Sequence, residues 1–394
     1  MWFFESPRII FGKEAIEQLE NPLHVVGSKA LIVTDKDLIE LGMIDIVTKH
    51  LKNGGIEYKI FDGVLPDPPV SVVKKGAEIC KEYQPDLIIA FGGGSSIDTG
   101  KAIWILYEDP EFDITGLNPF VSLPTGTKAK LIAIPTTSGT GAETTSAVVL
   151  SDDEEGLKLE LLNRHAIPTL AIVDPIFVEK MPKKLVASTA FDAIGHCIEG
   201  ITGKWTNIYT EGLANVAMKM IFDNLEKSYL LADPDAREAM HNAATIAGLS
   251  FGNAMAQFGH SIAHTLGAVF HIPHGFAVGL TVPYLIQFLV NNDEKSVKVL
   301  SNLARSTGVA NWSDGDKKAI DNLLEKIIDL QKITNFPRTL KELDISREKL
   351  DANMEKFKDL ILQTGTITIC PVTVDNEIAG KMVSYMFEGK DIDF

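Results

Sequence analysis

The chain has 394 residues, which exceeds the size of one ordinary hydrophobic core and predicts two domains. Its composition is 45% hydrophobic and 23% charged, so a large core can be buried without disulfide bonds. The formal net charge of -16 argues against a nucleic-acid or anionic-membrane partner, because either would require a basic surface.

The cysteines and the most apolar segments indicate the cellular compartment in which the protein is expected. Cys80, Cys197 and Cys370 are scattered, with no CxxC pair, which is typical of a reducing compartment. The start, MWFFESPRIIFG, lacks the features of a secretory signal, and TVPYLIQFLV is too short to span a bilayer. We therefore expect a soluble, cytoplasmic protein. The apolar residues Trp2, Phe3 and Phe4 need cover, which favours a homo-oligomer.

The first half of the chain alternates short apolar runs with helical patterns. Buried strands are predicted where β-branched runs are bounded by Gly, Pro or Asp, at residues 30–35, 57–62, 86–94, 130–137 and 169–174. Helical periodicity falls between several of them, for example over 70–83 and 97–107. This alternation predicts an α/β domain, with a parallel sheet and helices on both of its faces.

Two polar loops in this half suit a dinucleotide. The segment LIIAFGGGSSIDTGK is a strand, a glycine run and a helix opened by Ser95, Ser96 and Asp98. Glycines let backbone amides approach a pyrophosphate, although an ordinary turn with a serine cap would look similar. A second loop, IPTTSGTGAE, also follows a strand and offers the hydroxyls of Thr136, Thr137, Ser138 and Thr140. Together the two loops favour a nucleotide lying across a crevice in the sheet.

Asp35 closes the predicted strand ALIVTD. A carboxylate there can accept hydrogen bonds from the adenosine ribose and repel a 2′-phosphate, which favours NAD over NADP. It can equally cap the helix that starts at Lys36, and both roles can hold together. Because this acid precedes the glycines, the ordinary Rossmann fingerprint does not apply, and we expect a related α/β arrangement.

The strand pattern ends near Met181, and the remaining sequence is helical, with breaks at 233–234, 272–274, 312–315 and 336–337. We predict an NAD-binding α/β domain over 1–181 and an all-α metal- and substrate-binding domain over 182–394.

Histidines and a carboxylate gather between Asp192 and His274. Asp192 and His196 are spaced i, i+4, as are His260 and His264, so each pair shares a helix face. Imidazole and carboxylate are ligands for first-row divalent metals. The chemically able ligands are Asp192, His196, Cys197, Glu199, His260, His264, His271 and His274. On a helix Cys197 points away from His196 and is expected in the core, and Glu199 is expected to be a cap or a hydrogen-bond acceptor for a ligating histidine.

Several segments together resemble the iron-dependent (group III) alcohol dehydrogenase family. They are ESPRIIFG, VTDKDL, FGGGSSIDTGK, IPTTSGTGAE, DAIGHCIEG and GHSIAHTLGAVFHIPHG, in the order and spacing of the family. The resemblance implies a metal on Asp192, His196, His260 and His274, with His264 as a proton relay and Phe251 near the substrate. It implies that Gly93, Gly94, Ser95 and Ser96 hold the pyrophosphate. It also implies that Asp35 and Asp67 contact the adenosine side and that Asp98, Thr136, Thr137, Thr140 and Lys158 complete the cofactor site.

These residues are consistent with reversible hydride transfer between a small primary alcohol and NAD. The metal acts as a Lewis acid on the alcohol, the nicotinamide accepts the hydride, and His264 passes the proton out. The resemblance favours Fe(II), with Zn(II) as the alternative. Three other functions are considered: a transhydrogenase with permanently bound NAD, a sugar-phosphate cyclase, and a non-enzymatic metal- and nucleotide-binding protein. The cyclase is disfavoured because the site segments are nearly free of Lys and Arg.

Overall fold

The computed structural model describes residues 3–153 and 158–394. By its internal contacts the chain divides into two compact units, Met1–Lys180 and Met181–Phe394. The strands of the first unit are β1 (Arg8–Phe11), β2 (Lys29–Val33), β3 (Glu57–Phe61), β4 (Leu87–Gly92), β5 (Lys130–Pro135), β6 (Ala147–Ser151), β7 (Lys158–Leu162) and β8 (Leu170–Val173). Its helices are α1 (Lys36–Glu40), α2 (Met43–Asn53), α3 (Val70–Tyr83) and α4 (Gly94–Glu108).

A parallel sheet organises the first unit. Its strand order is β1-β8-β5-β4-β2-β3, and every neighbouring pair runs parallel. Alternate residues of β4 enter opposite cores: Ile88 and Ala90 pack with α3 and α4, whereas Ile89 and Phe91 pack with α2. Because helices cover both faces, the inner strands β2, β4, β5 and β8 read as nearly continuous apolar runs. The predicted α/β fold is confirmed, and all five predicted strands are present. The prediction that all five are buried is wrong for β3, which lies at the sheet edge and buries only Phe61.

Two features of this unit were not predicted. The edge strand β1 pairs with β8, and β6 and β7 form a separate antiparallel hairpin. The strand β1 has only four residues, none of them fully buried, and β7 mixes charged with apolar residues. Neither carries the continuous apolar run by which buried parallel strands are recognised.

The sheet order reverses beside β2. From β2 the chain moves outward to β3 and then returns to β4 on the opposite side of β2. The carboxyl ends of β2 and β4 therefore form a topological switch point, where ligands of open α/β sheets bind. Asp35 and Gly93 lie directly after these two strands. The fold thus places the adenosine candidate and the glycine loop at neighbouring strand ends.

The second unit is helical throughout its named elements, as predicted. They are α5 (Lys183–Thr202), α6 (Ile208–Leu231), α7 (Pro234–Gly252), α8 (Phe258–Phe270), α9 (His274–Asn292), α10 (Glu294–Ser306), α11 (Asp316–Ile333), α12 (Arg347–Gln363) and α13 (Asn376–Glu388). Helix α5 is buried on nearly all sides and packs against α6, α7 and α9. A helix that is apolar all round belongs at the centre of its unit.

Local sequence explains where these helices start. Asn207 caps α6 in a reciprocal capping box with Thr210. Asp233 caps α7, whose first residue is Pro234, and Asp293 caps α10. All four predicted breaks fall at or between helix ends.

The surface of the described chain has two features that bear on the earlier expectations. Within residues 3–153 and 158–394, no helix is both long and apolar enough to cross a membrane. Phe3 is 60% exposed and Phe4 41% exposed, and the guanidinium of Arg164 lies 4.8 Å from the Phe3 ring centre. Trp2 lies outside the described residues.

Candidate metal centre

Three helices of the second unit bring the proposed ligands together. Helix α5 carries Asp192 and His196 one turn apart, and α8 carries His260 in its first turn. His271 takes a left-handed conformation at the end of α8 (φ 57°), and Pro273 directs the chain into α9. His274 is the first residue of α9, so this tight connection sets it beside α8. Ligands distant in sequence become neighbours because α5 packs on α9 and α8 packs on α9.

One carboxylate oxygen lies at the centre of the group. The Oδ1 atom of Asp192 is 3.3 Å from Nε2 of His274, 3.6 Å from Nε2 of His196 and 3.8 Å from Nε2 of His260. Four ligands at about 2.1 Å around a tetrahedral cation lie about 3.4 Å from one another. The three separations from Asp192 are close to this value, although among the described residues only Asp192, His260 and His274 have ligand atoms that all lie near one another.

Burial supports the same conclusion. Asp192 is 2% exposed and His196 and His260 are each 3% exposed. Among the described residues, Oδ1 of Asp192 has no hydrogen-bond partner of acceptable geometry, although three ring nitrogens surround it. A buried acceptor in that position is costly unless a cation satisfies it. Asp192, His260 and His274 have ligand atoms within 4.8 Å of one another, and His196 adjoins them through Asp192.

The protonation states suit metal binding. Burial lowers the pKa of His196 to about 4 and also lowers the pKa of His274, so both rings are neutral near pH 7. Burial opposes ionisation of Asp192, but the surrounding imidazoles outweigh it and hold the pKa of this carboxyl well below its usual range. Neutral imidazoles and an ionised carboxylate are the forms that bind a divalent cation.

Aromatic rings enclose the group. The ring of Phe251 stacks on that of His196, with centroids 3.8 Å apart and planes 8° apart, and His196 in turn stacks on His260 at 5.0 Å. The ring of His264 lies 5.1 Å from that of His274 and meets His260 edge-on at 5.7 Å. The structure therefore places Phe251 and His264 beside the proposed ligands.

The other chemically able residues fall elsewhere. His271 is exposed at the end of α8. Cys197 is fully buried in the core, as expected, and burial raises the pKa of its thiol. Glu199 is fully buried and lies 2.7 Å from Nδ1 of His260, through its Oε1 atom. Burial opposes ionisation of Glu199, but His260 and two backbone N–H donors hold its pKa below the usual range.

The cofactor candidates of the first unit meet at the switch point. Asp35 caps α1 by accepting a hydrogen bond from the backbone N–H of Leu38 (3.0 Å), and its second oxygen accepts one from the Ser96 hydroxyl (3.2 Å). Gly92 has φ 150°, and a Cβ added there would lie 2.4 Å from Oγ of Ser96. Only glycine allows the loop to close this tightly over the start of α4. Asp35 is thus both the predicted cap and a neighbour of the glycine loop.

The second loop lies against the first. The backbone N–H of Thr136 donates to the carbonyl of Gly92 at 3.0 Å. A Cβ added at Gly94 would lie 3.0 Å from Thr140, and one added at Gly93 would lie 3.4 Å from Thr137. The N-cap residue of α4 is Gly93, which has no side chain with which to cap the first turn of the helix. Its N–H groups therefore present a positive partial charge beside the threonine loop.

The remaining candidates are engaged with one another or with the fold. The Nζ atom of Lys158 lies 2.8 Å from Oδ1 of Asp67. Asp98 is buried and accepts a hydrogen bond from the backbone N–H of Val149 (3.0 Å), which ties α4 to β6. Lys101, which sequence reasoning missed, is fully buried and donates to the carbonyl of Ala147 (2.8 Å). The available signal was a lysine three residues after an aspartate, within an otherwise apolar helix.

Comparison with known families agrees with this geometry. The sequence profile described as "Iron-containing alcohol dehydrogenase" matches residues 6–175, and the profile of the C-terminal part of the same family matches residues 186–365. The chain belongs to the iron-containing alcohol dehydrogenase family. It is therefore an alcohol dehydrogenase of the iron type, and the resemblance noted in its motifs is confirmed.

Individual members of the family align over much of the chain. An NADPH-dependent butanol dehydrogenase of Clostridium saccharobutylicum is 37% identical over 397 residues, covering 100% of both chains. Aldehyde-alcohol dehydrogenase 2 of Entamoeba histolytica is 43% identical over 298 residues, covering 73% of this chain but 34% of that longer protein. A crystal structure of a 1,3-propanediol oxidoreductase has a TM-score of 0.91 at 29% identity, covering 98% of this chain and 100% of that one.

Proposed function

We propose that this alcohol dehydrogenase interconverts small primary alcohols and aldehydes with NAD, using one divalent metal held by Asp192, His196, His260 and His274. The observation that carries the proposal is the approach of three Nε2 atoms to within 3.8 Å of one carboxylate oxygen. Three imidazoles and one carboxylate are donors that Fe(II) or Zn(II) accepts, and a substrate oxygen would add a fifth ligand.

A cation bound there supplies Lewis acidity, which lowers the pKa of an alcohol hydroxyl toward neutrality. The side chains around the cation have separate roles in charge balance, metal binding and proton transfer. Asp192 offsets part of the positive charge, and His196, His260 and His274 each present Nε2 to the position of the cation. His264 lies next to His260 and His274 and takes up the proton that leaves the alcohol. Phe251 covers one face of His196 and excludes water from that side.

We infer that the physiological metal is Fe(II), with Zn(II) as the alternative. The family name supports iron. The donor set, three nitrogens and one oxygen, is of intermediate softness and accepts either ion. Selection between them therefore depends on geometry and on which ion the cell supplies.

We infer that the nucleotide binds at the switch point of the first unit. The N–H groups at the start of α4, with Gly93, Gly94, Ser95 and Ser96, hold the pyrophosphate, and Asp35 accepts hydrogen bonds from the adenosine ribose. Thr136, Thr137 and Thr140 add hydroxyl donors, and the Asp67–Lys158 pair flanks the adenosine side. Asp98 acts from behind the site by holding β6 against α4.

NAD is preferred over NADP in this proposal because Asp35 places a negative charge where a 2′-phosphate would lie. The relative from Clostridium saccharobutylicum is named for NADPH, so cofactor choice differs within the family or is relaxed in it. A test is to compare NADH and NADPH oxidation with straight-chain aldehydes of increasing length. Turnover with NADH on short aldehydes supports the proposal, and turnover that requires NADPH contradicts its cofactor assignment.

Two broader expectations remain as proposals. A homo-oligomer is supported by the exposed rings of Phe3 and Phe4, and light scattering of the purified protein tests it. A reducing, cytoplasmic location is supported by Cys80, Cys197 and Cys370, which are all buried thiols.

A further inference from the structure

Glu199 lies on α5, the helix that also carries Asp192 and His196. It follows His196 by three residues and therefore faces the same side of the helix. Its side chain is fully buried. A buried carboxylate is expensive unless hydrogen bonds satisfy it, so its partners show what it does.

One carboxylate oxygen of Glu199 accepts hydrogen bonds from the start of α8. Its Oε2 atom accepts hydrogen bonds from the backbone N–H of Gln257 (2.5 Å) and from that of His260 (3.3 Å). Gln257 is the N-cap of α8, and within the described chain its own side chain does not cap this helix. The side chain of Gln257 instead donates to Thr202 (2.6 Å). Glu199 therefore caps α8 from another helix, where a negative charge also suits the helix dipole.

The other carboxylate oxygen of Glu199 contacts the ring of His260. Its Oε1 atom lies 2.7 Å from Nδ1 of that ring. An ionised carboxylate only accepts hydrogen bonds, so the ring nitrogen that faces it must carry the proton. The proton then sits on Nδ1, and the lone pair of Nε2 is directed toward Asp192, 3.8 Å away. That tautomer is the one that binds a metal through Nε2.

The sequence leaves room for this contact. A Cβ added at Gly259 would lie 2.5 Å from Oε1 of Glu199 and 2.9 Å from a methyl carbon of Leu285. Any larger residue at position 259 would displace either the carboxylate or the start of α8. The glycine next to His260 is therefore required by the side chains of Glu199 and Leu285 and not by the backbone angle.

We propose that Glu199 is a positioning residue that fixes both the tautomer and the placement of His260 for metal binding. One side chain on α5 sets the start of α8 and the direction of the His260 ring, and so joins the two helices that supply three of the four ligands. The inference rests on the metal site described under Proposed function.

The test uses the full-length, metal-free protein and two readouts. The first is the affinity for Zn(II) and Fe(II), the latter without oxygen, measured by competition with a chelator. The second is the ¹⁵N chemical shift of the His260 ring nitrogens without metal, assigned by comparison with His260→Gln. The first variant is Glu199→Gln, whose single carbonyl oxygen can accept either from the N–H groups at the start of α8 or from the His260 ring, but not from both. The second is Gly259→Ala, which keeps the carboxylate of Glu199 but displaces it.

Glu108 provides a matched control. It is also a buried carboxylate, and it accepts hydrogen bonds from the backbone N–H groups of Gly126 (3.0 Å), Lys128 (2.9 Å) and Ala129 (3.0 Å). It belongs to α4 in the first unit and touches no proposed ligand. Glu108→Gln therefore removes a similar set of bonds without touching the metal site, and its metal affinity should equal that of the wild type.

Glu199→Gln should weaken metal affinity about 10- to 100-fold, as loss of a partner behind a ligating histidine does. Gly259→Ala should weaken it in the same direction. The wild-type ring should carry its proton at Nδ1, and Glu199→Gln should shift the population toward the Nε2 tautomer.

Unchanged affinity and an unchanged tautomer in Glu199→Gln, with the wild type binding metal, would overturn this inference and leave the proposed function intact. Glu199 would then serve only as a helix cap, and lower thermal stability would be the sole effect. Failure of the wild type to bind metal would instead overturn the proposed metal site, and the role of Glu199 with it.

Discussion

Phe251 lies flat against His196, with 3.8 Å between ring centroids and 8° between ring planes. The contact fixes the plane of one proposed ligand, and the Phe251 ring also lies 6.4 Å from the ring of a second, His260. An aromatic residue placed in this way can serve the metal site as well as the substrate.

Replacing Phe251 by Leu keeps the apolar bulk and removes the stacking. Because an aromatic pair contributes about 0.5–1.5 kcal/mol beyond area burial, metal affinity should fall about 2- to 13-fold. Chelator competition on the metal-free protein measures it. Phe270→Leu is the control, since this ring stacks on Phe357 and not on a proposed ligand. Equal losses in both variants would show that the effect is a general one of packing.

Asp35→Asn should shift cofactor preference toward NADPH. Asparagine still caps α1, so the change removes the charge and leaves the helix start in place. A repulsion of about 1–3 kcal/mol between the carboxylate and a 2′-phosphate predicts an increase of about 5- to 150-fold in the kcat/KM ratio of NADPH to NADH. Asp37→Asn, an exposed residue on the same helix, removes an equal charge and should leave the ratio unchanged. If Asp37→Asn changed the ratio as much as Asp35→Asn, the shift in cofactor preference would be an effect of general surface charge and not of Asp35.

Two glycine substitutions in helices should have opposite effects on stability. At Gly100 an added Cβ would lie 2.5 Å from Cβ of Ala90, so Gly100→Ala forces α4 away from β4 and should lower the unfolding free energy by about 1–3 kcal/mol. At Gly212 on α6 an added Cβ meets no described atom within 4 Å, so Gly212→Ala should raise it by up to about 1 kcal/mol. Thermal unfolding of both proteins decides the signs. Stabilisation by Gly100→Ala would contradict the close packing of α4 on the sheet.

The buried histidines predict how the metal-free protein responds to acid. Burial lowers the pKa of His196 from 6.5 to about 4. Between these values the unfolded chain binds a proton that the folded chain does not, so stability falls as the pH drops from 6.5 toward 4. One such group contributes a slope of about 1.4 kcal/mol per pH unit. His196→Gln should flatten the profile of stability against pH in that window. An unchanged profile would show that His196 is protonated normally in the folded state.

Much of the fold could be predicted from local patterns. Four of the five predicted strands are continuous apolar runs, whereas β3 alternates charged with apolar residues. The ligand helices show Asp192 with His196 and His260 with His264 at one-turn spacing. The hairpin of β6 and β7 could not be predicted, because β7 mixes charged with apolar residues and the hairpin is held to α4 by a bond from the Val149 N–H to Asp98. That contact joins residues far apart in sequence and leaves no periodic signal.

The candidate site was also only partly predictable from local sequence. Chemistry alone admitted His271 and His274 equally as ligands, and the left-handed turn at His271 separates them by directing only His274 toward Asp192. Glu199 was expected to cap a helix or to support a ligating histidine. Which helix and which ring it contacts depends on the packing of α5 against the start of α8, which no local pattern records.

The central claim is that one metal ion is bound by Asp192, His196, His260 and His274. Its most direct test is metal analysis of the protein purified without oxygen, alongside the double variant His260→Ala/His274→Ala, with NADH-dependent aldehyde reduction measured on both. We predict close to one iron or zinc per wild-type chain, and loss of both metal and turnover in the double variant. Metal that is retained in the double variant would contradict the ligand set, and a metal-free, active wild type would contradict the mechanism.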